Sequence, residues 1–210
     1  MSELRGALSD IADIRERMAA TALFRGFGPA VMAGTGGLAL AAALVQWLNS
    51  ETLASSPTVF VLYWTGVATL ASVAIAVEAF ARCRRHHGGL ADAHLFNAAE
   101  HFFPAGAIGA LLAIVFLTAA PDAAWVLPGL WSLLIALALF AAYRFLPRTI
   151  AIAAGWYVVA GAGALLAGAD SRTLEPAAMG IVFGIGQLIL AGVLQFAFAS
   201  DRRPSVGGIR

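Results

Sequence analysis

The chain has 210 residues, of which 60% are hydrophobic and 12% charged, with mean hydropathy +0.83 and net charge +1. Globular chains run at roughly 45–50% apolar and about 25% charged, so a water-soluble enzyme and a disordered tail are excluded. A near-neutral chain also lacks the basic field a nucleic-acid binder needs. Its single cysteine rules out an intrachain disulfide, and the lack of any lysine rules out Schiff-base chemistry and Walker-type phosphate binding.

Residues 1–25 form an amphipathic cytoplasmic segment. Leu4, Leu8, Ile11, Ile14, Met18 and Ala22 make one stripe, and Asp13 stands one turn from Arg17. Four acidic and four basic residues cancel, so this is no polybasic lipid patch. The segment is expected to lie along the membrane surface, with docking of a cytoplasmic protein as the alternative. No cleavable signal peptide is expected, because the first apolar run is long enough to span.

A helix needs about 20 apolar residues to cross a hydrocarbon core. Six stretches qualify: Phe27–Leu48, Thr58–Phe80, Phe102–Ala120, Ala123–Tyr143, Thr149–Ala169 and Pro176–Ala199. They are continuously apolar, whereas barrel strands alternate, and a helix satisfies its own backbone in lipid. The expected fold is therefore an all-α, polytopic membrane bundle. Residues 26–200 form the six-helix transmembrane domain and 201–210 a cytoplasmic tail.

Arginine sets the orientation. Arg5, Arg15, Arg17 and Arg25 precede the first span, and Arg82, Arg84 and Arg85 follow the second. Arg144 and Arg148 lie between the fourth and fifth, and Arg202, Arg203 and Arg210 close the chain. The opposite loops hold only Arg172. The positive-inside rule puts the arginine-rich side, with both termini, in the cytoplasm and the protein in the cell (inner) membrane.

Prolines mark the starts of the spans. Pro29, Pro104 and Pro147 precede the outward helices, and Pro57, Pro121 and Pro176 precede the returning ones. This spacing reads as three tandem hairpins. A plainer account is that proline is tolerated in the first helical turn, and the unequal segments favour it. Small-residue pairs at Gly180/Gly184, Ala30/Gly34 and Ala160/Ala164 are expected to pack helices within the bundle, ahead of serving a dimer face.

The interior is thinly polar. Thr35, Thr65, Thr69, Ser72, Ser132 and Gln187 are its uncharged members. Gln187, near the centre of the last span, is expected to hydrogen-bond between helices, with solute contact as the alternative. Glu78 is the only charge within a span, and Arg82 one turn later is its expected partner.

All four histidines fall between the second and third spans. Gly88-Gly89 breaks the helix leaving the second span, and a second amphipathic helix is expected over 90–101. At 100° per residue His94, Asn97, Glu100 and His101 share its polar face. With Glu78, Arg82, His87 and Asp92 they make a candidate cytoplasmic-side polar site. His94 and His101 lie about 10 Å apart along the axis and cannot share one ion directly. A solvated face is the plainer reading; no cofactor is predicted, and this loop is where a metal would be held. Cys83, beside Arg82 and Arg84, reads as an incidental small residue.

Three functions follow from these features. The leading one is a small transporter or channel for a neutral or weakly polar solute, possibly as a homo-oligomer. The second is a membrane-embedded sensor or anchor for a cytoplasmic partner. The third is an intramembrane enzyme acting on a lipid through the histidine loop. No catalytic residue is assigned.

Overall fold

A computed structural model describes residues 28–86, 91–145 and 148–201, with side chains apart from those of 83–101, 144, 145, 198, 200 and 201. Among them there is no strand. The spans are α1 (Pro29–Leu48), α2 (Pro57–His86), α3 (Ala91–Ala119), α4 (Leu127–Ala141), α5 (Ile150–Ser171) and α6 (Pro176–Asp201). A 3-10 turn, Pro121–Val126, leads into α4 and completes the fourth span. All six spans are long and apolar enough to cross a membrane, so the protein is a multi-pass helical bundle.

Local chemistry sets most boundaries. Gly28 is extended at φ −81°, ψ 129°, and Pro29 opens α1 where its missing N–H costs nothing. Asn49 ends α1 twice over: its backbone N–H and its side-chain Nδ2 both donate to the Val45 carbonyl. After one helical turn, Ser50–Leu53, the Ser56 hydroxyl accepts from the Val59 N–H and starts α2. Arg172 closes α5 in the left-handed region at φ 51°, its N–H donating to the Gly168 carbonyl.

Pro57, Pro121 and Pro176 begin helices as the spacing implied. Pro104 does not. It lies inside α3, which runs unbroken from Ala91, so the Glu100 carbonyl lacks its usual i+4 donor there. The stretch expected as a helix over 90–101 is helical from Ala91 and continuous with the third span, whose apolar part is Phe102–Ala119.

The tightest packing joins helices from different hairpins. α1 lies along α6, and α4 along α5. At the first contact a Cβ on Gly36 would sit 2.9 Å from the Gly184 carbonyl, and one on Gly180 would overlap Ala43. At the second, a Cβ on Gly129 would sit 2.8 Å from the Gly161 carbonyl. Small residues therefore let backbones meet, which is how helices associate when lipid is as apolar as leucine. Gly180/Gly184 packs within the bundle as expected. Gly34 is exposed with no atom near its missing side chain, so Gly36, Ala39 and Ala43 form the α1 face in place of Ala30/Gly34.

Within each hairpin an indole N–H bridges the two helices. Trp64 Nε1 donates to Gln46 Oε1 at 2.7 Å, Trp131 Nε1 to the Gly109 carbonyl at 3.0 Å, and Trp156 Nε1 to the Val182 carbonyl at 2.9 Å. Each hairpin thus has an indole pin between its helices, and the hairpins are assembled by glycine-lined contacts. The second and third spans are the least covered, with 17% and 11% of their most apolar 18-residue stretch buried against 50% for the sixth.

Candidate functional site

Charge in the described protein lies at the ends of the bundle, apart from Glu78 one turn inside the second span. Glu51, Asp122, Arg148, Asp170, Arg172 and Glu175 are all exposed. The expected pair near the arginine-rich end is present: Arg82 Nε donates to Glu78 Oε1, one turn apart on α2, both side chains about a third exposed. The guanidinium of Arg82 also lies over Gly28, where a Cβ would be 2.8 Å from one of its nitrogens. Glycine at the cap of α1 thus leaves room for the cation.

The side chains of the remaining members of the candidate cytoplasmic-side site lie outside the described residues. His87 falls between α2 and α3. For Asp92, His94, Asn97, Glu100 and His101 only the helical backbone of α3 is described. The histidine loop, the place assigned to a metal, and the N-terminal segment 1–25 lie outside them too.

The two buried hydroxyls of Thr35 and Ser132 bond to their own helices: Thr35 Oγ1 donates to the Met32 carbonyl and Ser132 Oγ to the Pro128 carbonyl, as the exposed Thr69 Oγ1 does to Thr65. Such back-bonding satisfies a hydroxyl without a second helix. Thr65, Thr69 and Ser72 stand exposed on the outer face of α2, away from the interior to which composition assigned them.

Near the arginine-poor end lies a network that composition did not reveal. Gln46 is completely buried. Its Nε2 donates to the Leu53 carbonyl at 2.8 Å while its Oε1 accepts from Trp64. Tyr63 Oη donates to the Ala42 carbonyl at 2.7 Å, and its ring meets Trp64 edge to face at 5.7 Å. The signal was a lone amide one turn before the end of α1, which reads equally well as a headgroup-level residue.

Deeper in the bundle two polar atoms stand without partners. Gln187 Oε1 is buried and meets no donor, contrary to the interhelical bond expected of it. Its Cβ faces α1, 3.2 Å from where a Cβ on Gly36 would be. Tyr157 Oη, on a residue with no exposed surface, is the second. Burying an unpaired polar group costs about 1–3 kcal/mol, and buried groups are normally satisfied. Aromatic composition hid Tyr157, because its ring counts as apolar and its hydroxyl is noticed only when burial is known.

Comparison of this chain with known protein families, with curated proteins and with solved structures finds no match. Its functional reading therefore rests on the bundle itself.

Proposed function

We propose that this protein is a small membrane transporter or channel for a neutral or weakly polar solute. It would lie in the cell membrane with both ends in the cytoplasm, an orientation taken from the arginine distribution. One observation carries the reading: the described charged side chains lie at the ends of the bundle apart from Glu78, which sits one turn inside the second span and is paired with Arg82, and the buried polar groups are all neutral. An ion entering such an interior meets no countercharge, and a charge at mid-membrane costs at least about 2.5–3.5 kcal/mol on insertion scales. A neutral solute does not carry that penalty and can use uncharged hydrogen-bonding groups.

Reconstitution into proteoliposomes tests this. Stopped-flow light scattering should show faster permeation of glycerol or urea than through protein-free vesicles, while potassium and chloride fluxes stay at the background. Neutral permeation equal to that of empty vesicles, or a current carried by ions, would remove the reading.

A further inference from the structure

The two unpartnered atoms meet α6 at adjacent positions, Tyr157 Oη at Gly186 from the α5 side and Gln187 on the next residue, whose Cβ faces α1. Tyr157, on α5, reaches across to α6 because residue 186 is glycine: a Cβ there would be 2.5 Å from Oη. Gln187 is the next residue along α6, and one helical residue rises only about 1.5 Å. Phe183 closes over the phenol from the same helix, ring centroids 5.8 Å apart. The neighbouring Trp156 finds the Val182 carbonyl, so the contact between α5 and α6 does satisfy a donor beside the one it leaves bare. Thr35 and Ser132, buried in the other helices, bond locally. Tyr157 and Gln187 stand apart from this pattern.

We propose that Tyr157 Oη and Gln187 Oε1 are the hydrogen-bonding contacts for a small neutral solute at mid-bundle, deepening the transport reading on which this rests. The chemistry of the two atoms defines the solute class. An amide oxygen only accepts, so the solute must donate to Gln187, whereas a phenol both donates and accepts. Small alcohols and small amides meet both requirements. Potassium, chloride and hydrocarbons, which donate no hydrogen bond, do not.

Glycerol and urea serve as probes, with the full chain in proteoliposomes and in detergent. Tyr157→Phe and Gln187→Leu keep the apolar packing and remove the atoms in question. Each variant should retain the thermal stability of the parent or exceed it, because an unpaired group has gone, while glycerol and urea flux falls by about tenfold or more. Equilibrium binding of radiolabelled glycerol and urea to detergent-purified protein should fall in parallel. Stable variants with unchanged flux and binding would overturn the assignment and leave a resident water as the atoms' partner. Failure of Tyr157→Phe to fold would also overturn it, since the hydroxyl would then be holding helices together. Parent protein that binds the probes but does not pass them keeps the site and defeats the transport reading. Flux without any dependence on these two residues does the reverse, and absence of both binding and flux defeats both.

Discussion

The indole of Trp64 and the amide of Gln46 form a 2.7 Å hydrogen bond that ties α2 to α1. The same amide holds the Leu53 carbonyl through its nitrogen, so one fully buried side chain links two spans and the turn between them. Each of its polar ends has a defined partner, and the side chain itself is fully buried. Removing it strands both.

Gln46→Leu should therefore destabilise the bundle by about 1–3 kcal/mol, chiefly by stranding the buried Trp64 indole N–H. Trp64→Phe should cost less, since only the amide oxygen loses its donor. The double variant should fall short of the sum, because Gln46 and Trp64 act through one bond. Unfolding in mixed micelles followed by circular dichroism measures all three, and strict additivity would contradict the arrangement.

Gly180→Ala places a methyl group against Ala43 and should cost about 1–3 kcal/mol, because helix backbones on both sides resist displacement. Gly34→Ala puts the same methyl group into open space on the exposed side of α1. It should be neutral or slightly stabilising, alanine being the better helix former by up to about 1 kcal/mol. The same unfolding assay compares them, and equal effects would show that α1 meets α6 through a different face.

Arg172→Gly should stabilise the protein, by up to about 1 kcal/mol. Arg172 is the only non-glycine residue at positive φ among the described residues, and glycine takes that conformation without a Cβ penalty. Its side chain is exposed, so little packing is lost. A lowered melting temperature in detergent would mean that the arginine side chain contributes at that end of the bundle.

Glu78→Gln should change stability by less than about 1 kcal/mol. The Glu78–Arg82 contact is an i,i+4 pair on one helix with both groups partly exposed, and such pairs are worth about 0.3–0.5 kcal/mol. Chemical unfolding at low and high salt provides the measurement. A loss of several kcal/mol would place the carboxylate in a less hydrated setting than its exposure implies.

Much of the architecture is legible in the amino-acid sequence, and the candidate site less so. Gln187 can be singled out because an amide near the middle of an apolar run is conspicuous. Its lack of a donor is not legible, because it depends on which side of α1 turns toward α6. Tyr157 is hidden for a related reason: a phenol in an apolar helix is ordinary until Gly186 brings another backbone across it. Gln46 is ambiguous through its position near a helix end. There, burial depends on whether Trp64 and the Leu53 carbonyl fold over it.

Composition and run length alone determined that the chain is helical and crosses a membrane six times. Hydrocarbon offers backbone groups no partner, so each apolar stretch must satisfy its own N–H and C=O groups as a helix. Which helices meet was decided only in three dimensions. Ala30/Gly34 and Gly180/Gly184 carry the same local pattern, yet Gly34 faces outward while Gly180 and Gly184 pack against α1. Lipid solvates every apolar face about equally well, so pairing rests on shape and a few polar contacts between residues far apart in the chain.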